Sequence, residues 1–295
     1  MMPQYHIGTL NDAARKALEG SAEESPASDP TRAVFLQPKY WSKAILETKT
    51  DVSSDSKIFS FRLDHAAQSI GLPTGQHLLV RLRDPATREA VIRAYTPLSE
   101  THAKGQLDIL IKIYRDVPGQ PGGKMTQALD SIPLGHFVDI KGPVGKFEYL
   151  GKGHCTVSGT SRHVRRFVMI CAGSGVTPIF QVLRAVTCDA QDGTECLVLD
   201  GNRCEKDILC REELDAMVAR APARTTLLHK LSRPDASWCG LRGRMDKEYL
   251  EEHIGGFRKS DGREMVLVCG PAALEETVRS VLVEMAWKPE DMLFF

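Results

Sequence analysis

Arg93-Ala94-Tyr95-Thr96-Pro97-Leu98-Ser99 gathers a guanidinium, a phenol and two hydroxyls within seven residues, directly after the strand-like run Ala90-Val91-Ile92. Pro97 keeps that strand from continuing as a central one. Arg93 can grip a phosphate as a fork, and Tyr95 offers a ring to lie against a flat heterocycle and a hydroxyl to bond its rim. Thr96 and Ser99 add short polar contacts. In Pro118-Gly119-Gln120-Pro121-Gly122-Gly123-Lys124-Met125-Thr126, glycines precede a helical pattern that starts at Gln127. Such glycines let backbone N–H groups approach a phosphate at a helix N-terminus. Two further turns follow apolar runs: Ala172-Gly173-Ser174-Gly175-Val176-Thr177-Pro178 and Cys269-Gly270-Pro271. The first lacks the third glycine of the dinucleotide fingerprint Gly-x-Gly-x-x-Gly. Each stretch alone has a plain alternative: an ordinary edge-strand arginine, a surface loop, a structural thiol before a helix start.

The elements that must position these residues fall into two kinds. From Trp41 the pattern alternates, as in Lys57 to Leu63, Leu78 to Leu82 and Leu107 to Tyr114, with turns such as Leu72-Pro73-Thr74-Gly75 and Arg83-Asp84-Pro85. Many short strands with polar turns predict a closed or nearly closed antiparallel barrel. Lys112 projects from the less apolar side of its strand, opposite Ile109, Ile111 and Ile113. The barrel closes through Phe137 to Ile140 and then Lys141 to Tyr149. Gly151 to Arg165 carries Gly, Ser, Thr and basic residues and reads as a boundary.

After that boundary the period changes. Arg166 to Cys171 is an apolar run of the buried parallel kind. Strand, glycine turn and helix then recur: Cys196 to Asp200 with a helix around Leu214, Thr226 to His229 with Tyr249-Leu250, and Met265 to Cys269 with Leu274 to Met285. Met292 to Phe295 makes a last strand. The alternation predicts a doubly wound parallel sheet with ligands at the strand C-termini. Asp200 to Leu209 lies after the second strand, where a dinucleotide's 2′ position is read. Arg203 or Lys206 could pair with a 2′-phosphate, while Asp207 would suit a free ribose hydroxyl.

Length and composition allow two domains with cores of their own in 295 residues. The balance of 38 basic against 38 acidic residues gives no pointer to nucleic acid or an anionic membrane. The eight cysteines show neither a Cys-x-x-Cys pair nor a histidine at zinc spacing, so free thiols in a reducing compartment are expected, with no metal. The N-terminus has no apolar signal region, which predicts a cytoplasmic protein.

Arg-x-Tyr-Thr-Pro-x-Ser resembles the flavin-binding signature of the ferredoxin–NADP reductase superfamily, in the form used by cytochrome b5 reductases and assimilatory nitrate reductases. Gly-Gly-x-Met-Thr is similar to that family's flavin pyrophosphate loop, and Ala172 to Pro178 resembles its Gly-Gly-Thr/Ser-Gly-Ile-Thr-Pro turn, with Ala172 where glycine is commoner. Gly142-Pro143-x-Gly145-x-x-Glu148-Tyr149, Asp200-Gly201-Asn202-Arg203 and Trp238 to Arg244 look like the fungal nitrate reductase form. The resemblance implies a β plus α/β two-domain flavoprotein: residues 1–36 a cytochrome b5 domain remnant and hinge, 37–150 the FAD-binding barrel, 151–165 a linker, 166–295 the NAD(P)-binding domain. FAD contacts are expected from Arg93, Ala94, Tyr95, Thr96, Ser99, Ile111, Ile113, Tyr114, Gly123, Lys124, Met125, Thr126, Ser174, Thr177 and Phe295. NADPH, with NADH as the alternative, would meet Gly173, Gly175, Arg203, Arg242, Arg244, Cys269, Gly270 and Pro271. Cys269 and Lys112 would stand beside the nicotinamide. The implied activity is hydride transfer from NADPH to FAD, then electrons to a b-type haem domain, as in nitrate assimilation. The haem motif is absent, so neither haem nor molybdenum is expected in this chain, and a homodimer only through modules it lacks. The alternatives are a free-standing NADH-cytochrome b5 reductase and a non-catalytic flavin- and nucleotide-binding module.

Overall fold

The computed structural model describes residues 33–83, 89–257 and 263–295. Residues 1–32 of the expected remnant and hinge, and the turn at Asp84-Pro85, lie outside them. The chain divides into two units, one ending at Glu148 and the other running from Tyr149 to Phe295.

The first unit is built from alternating strands. β1 (Ser42–Ser53), β2 (Ser56–Arg62), β3 (His77–Arg83), β4 (Ala90–Tyr95), β5 (Gln106–Lys112) and β6 (Phe137–Val144) form one sheet in the order β4-β3-β6-β1-β2-β5. Every neighbouring pair in it is antiparallel. Inward residues such as Leu46, Phe59, Phe61, Leu78, Val80 and Ile109 are fully buried. Each large apolar side chain so placed contributes about 1.5–3 kcal/mol. The sheet's two edge strands are stitched by the chain just past β4: Leu98 N–H donates to the Asp108 carbonyl (2.9 Å) and Asp108 N–H to Ser99 Oγ (2.7 Å). The expected near-closed barrel is therefore present. Helix α1 (Lys124–Ser131) turns Met125 and Leu129 into its core. Phe35 and Leu36, assigned from sequence to the hinge, belong to the barrel instead. Both are buried, and their N–H groups bond to Ser69 and Ile70.

The second unit holds a correction. The expected linker 151–165 is a β-hairpin, β8 (His154–Val157) and β9 (Thr160–His163), added to β7 (Phe147–Gly151). Lys152-Gly153 and Ser158-Gly159 all have positive φ, the condition of a tight two-residue turn matched to strand twist. The glycines and serine that suggested a domain boundary are hairpin turns. The Tyr149 hydroxyl donates to buried Asp192, whose carboxylate also takes bonds from the N–H groups of Lys152 and Thr194.

The remaining strands are parallel: β10 (Arg166–Ala172), β11 (Glu195–Asn202), β12 (Thr225–Leu231), the two-residue β13 (Leu241–Arg242), β14 (Glu264–Cys269) and β15 (Met292–Phe294). Their order is β13-β12-β11-β10-β14-β15, with α2 (Val176–Cys188), α3 (Arg211–Arg220), α4 (Lys247–Phe257) and α5 (Ala272–Glu284) as crossovers. The apolar runs of the central strands β10, β11 and β14 are buried almost throughout, as a sheet covered on both faces requires. From β10 the chain first winds toward β11 and later returns to β14 on the other side. That reversal opens a crevice between the ends of β10 and β14, where doubly wound sheets hold ligands.

Candidate functional site

In the barrel unit, β4 carries Arg93, Ala94 and Tyr95 to an open edge, followed by buried Thr96. Arg93 Nη1 donates to the Ile92 carbonyl (2.7 Å), so the guanidinium lies along its own strand. Burial pushes the Tyr95 phenol well up, against a smaller opposing pull from Arg93, so it remains a neutral hydroxyl donor. Ser99 also has a structural role, since its hydroxyl accepts the Asp108 N–H. The Gly-Gly loop meets β5's end: Gly123 N–H donates to the Tyr114 carbonyl (2.8 Å) and Tyr114 N–H to Thr126 Oγ (3.2 Å). Gly122 has no room for a side chain because a Cβ would run into the backbone at Tyr114 and Arg115. Lys124 and Met125 open α1, and its N-cap, Gly123, provides no side-chain cap. A helix start of this kind leaves first-turn N–H groups for an anion, which fits a diphosphate.

Two expectations change here. Ile111 and Ile113 are core residues, 1% and 4% exposed, so their side chains serve the barrel. Lys112 projects away from them as expected but is paired with Asp55 at 2.8 Å.

In the parallel unit, the turn after β10 is a short 3-10 segment, Gly173–Gly175. Gly173 has φ +54° and nothing within 4 Å of where a Cβ would be. Only glycine adopts that conformation without strain, and the space beside it is open to a ligand. Gly175 has a different reason: a Cβ there would collide with the carbonyl of Cys269 on β14. It packs two strand ends closely together. Thr177 Oγ is turned back onto the Ser174 carbonyl (3.2 Å). Cys269 ends β14 in register with Cys171. Burial, with Glu275 nearby, pushes the Cys269 thiol up to about 12, so it stays protonated. Pro271 caps α5 directly after Gly270. Phe295 is held by its N–H to the Val268 carbonyl (3.0 Å), while Arg279 stacks 3.7 Å from the ring of Phe294.

Toward β13 the strand ends become basic. Arg203 forks onto Asp207 through two bonds of 2.9 and 3.1 Å, which fixes the guanidinium and occupies the acid. Arg242 donates to the carbonyls of Asp235, Ala236 and Trp238, and Arg244 is exposed. Sequence reasoning missed Ser232 and Arg233. Their N–H groups bond to the carbonyls of Asn202 (3.0 Å) and Arg203 (2.7 Å), which seats them beside Arg203. The available signal was that they are the first polar pair after an apolar strand. Beneath this edge Asp200 is 1% exposed and accepts from Asn202 Nδ2 and His229 Nδ1, each at 2.8 Å. No group of three or more His, Cys, Asp or Glu among the described residues is placed to hold a metal.

An antiparallel barrel with a phosphate-ready loop, followed by a parallel sheet with a glycine cradle and a basic edge, defines a two-domain oxidoreductase that pairs a flavin with a nicotinamide nucleotide. Comparison agrees. Residues 43–149 match the family of the oxidoreductase FAD-binding domain, and 169–280 that of the oxidoreductase NAD-binding domain. Over the whole chain it is 55% identical to a nitrate reductase [NADPH] of Leptosphaeria maculans and 52% identical to that of Aspergillus niger. It covers 33% of each, so the chain spans about a third of the length of the curated relatives it matches. The crystal structure of the cytochrome b5 reductase domain of Ulva prolifera nitrate reductase superposes with TM-score 0.80 at 33% identity, covering 89% of this chain and 100% of that one. The chain belongs to the family of cytochrome b5 reductase domains of nitrate reductases, NAD(P)H-dependent FAD reductases.

Proposed function

We propose that this chain takes hydride from NADPH onto FAD and delivers the electrons to a b-type haem domain, within nitrate assimilation in the cytoplasm. The observation that carries the reading is the open Gly173 turn after β10, with Cys269 ending the neighbouring strand β14 at the same crevice. FAD, when bound, accepts two electrons from a nicotinamide and releases them singly. Arg93 and the first turn of α1 would hold its diphosphate, with Tyr95 as a neutral hydroxyl donor to its rim. The protonated Cys269 thiol would act as a soft wall that places the nicotinamide, not as a nucleophile. Arg203, pre-set by Asp207, would meet the 2′-phosphate together with Arg233 and the exposed Arg244. No general acid or base is required, so the protein's part is geometry and charge. The residues ahead of Phe35 would be the hinge that leads in from the haem domain; the relatives align along this segment too.

The purified protein should be yellow and reduce ferricyanide faster with NADPH than with NADH, while leaving nitrate untouched. A colourless protein that cannot take up added FAD would sink the reading. Equal or better turnover with NADH would instead favour a free-standing NADH reductase.

A further inference from the structure

The strand ends of the parallel sheet differ in charge from one side to the other. Arg203, Lys206 and Arg233 follow β11 and β12, Arg242 ends β13 and Arg244 follows it. On the opposite flank, the first turn of α5 brings in Glu275. Its Oε1 accepts the Gly270 N–H at 3.4 Å, which sets the carboxylate against the Cys269-Gly270 turn. A carboxylate repels phosphates, so it marks the end of the crevice where no phosphate lies. We propose that Glu275 is a charge-bearing residue of the nicotinamide end of the site, and that it favours the oxidised, cationic ring over the reduced, neutral one. The inference rests on the nucleotide site proposed above.

The physical link is the charge change in the substrate. As the C4–H bond breaks, H⁻ leaves for the flavin and the ring passes from neutral to +1. A fixed negative charge at that end lowers the energy of the developing cation. Burial pushes the Glu275 carboxyl up, while the Gly270 N–H and the Arg279 guanidinium support its ionised form. The structural alternative is that Glu275 merely stabilises the start of α5, as acidic residues in a first helical turn do.

The two roles separate by nucleotide binding to the FAD-loaded full chain. The probes are NADP+ and 1,4,5,6-tetrahydro-NADP, whose ring is neutral and gives no hydride. Glu275→Gln should weaken NADP+ about tenfold relative to tetrahydro-NADP, with flavin content unchanged. Glu275→Asp, which keeps the charge, should retain the wild-type preference. Should the Gln variant fail to fold, Glu275→Ala carries the same comparison. A preference unchanged on removal of the charge, or both nucleotides weakened alike, overturns the proposal and leaves helix stabilisation. Failure of the unaltered protein to bind either nucleotide overturns the site reading itself.

Discussion

At the scale of the residue, the chemistry was the most legible part of the chain, because a guanidinium, a phenol and a glycine advertise themselves by type. Arg93→Ala should raise the FAD dissociation constant about 10- to 100-fold, the value of one charge-assisted phosphate contact, with little change in the reduction rate of the loaded fraction. Titration of the apoprotein checks it. Cys269→Ser should keep FAD and melting temperature while slowing flavin reduction by up to about a hundredfold, since a small misplacement of the reacting ring suffices. Stopped-flow reduction beside melting of the same sample decides, and a lower melting point with a normal rate would make the thiol packing only. His77 was not legible: nothing in the sequence says that its imidazole is 6% exposed and its Nε2 unpaired. Burial lowers it to about 4 from 6.5, so the folded protein binds its proton more weakly than the unfolded chain does. Its stability contribution is therefore complete above pH 6.5 and is lost as the pH falls toward 4. The loss is about 2 kcal/mol at pH 5. Denaturant melts at pH 7 and pH 5 should show this extra loss in the wild type and not in His77→Gln.

At the scale of the element, alternation and apolar runs foretold the barrel and the parallel sheet, because burial on one face or two leaves that imprint. Strand order left no imprint, since the pairing of β10 with β14 joins residues about a hundred positions apart. The two-residue β13 is too short for any period. For the same reason Ser232-Arg233 stayed hidden: register alone brings them to Arg203. The glycines of the nucleotide turn were visible, but their separate duties were not. Gly173→Ala should cost only about 1–2 kcal/mol of backbone strain, yet remove nucleotide binding, because its new methyl enters open space where the ligand would pass. Gly175→Ala should destabilise the parallel unit itself by about 1–3 kcal/mol as β14 is pushed aside. Melting curves and NADP+ titration of the two variants should therefore rank them in opposite orders.

At the scale of the whole molecule, two units were foreseen and their boundary was misplaced, because a tight hairpin and a loose tether share a composition of Gly, Ser and Thr. What separates them is a long-range partner, and Asp192 is it. Burial alone would raise its carboxyl, but bonds from Thr194, Tyr149 and the backbone at Lys152 outweigh that and hold it below the ordinary value. Tyr149→Phe in the full chain should lower stability by about 1–3 kcal/mol, the cost of a buried acceptor left short of a donor. Denaturant unfolding followed by tryptophan fluorescence tests this, and an unshifted midpoint would leave the hydroxyl no such role.

The same fastening bears on how such a chain could be recombined. A crossover anywhere between Gly151 and Arg165, which composition invites, would hand one parent's Tyr149 to the other parent's Asp192 and part the clasp from its catch. A junction just ahead of Tyr149, where the first unit ends at Glu148, lets the nucleotide-binding half travel with both pieces of its own fastening.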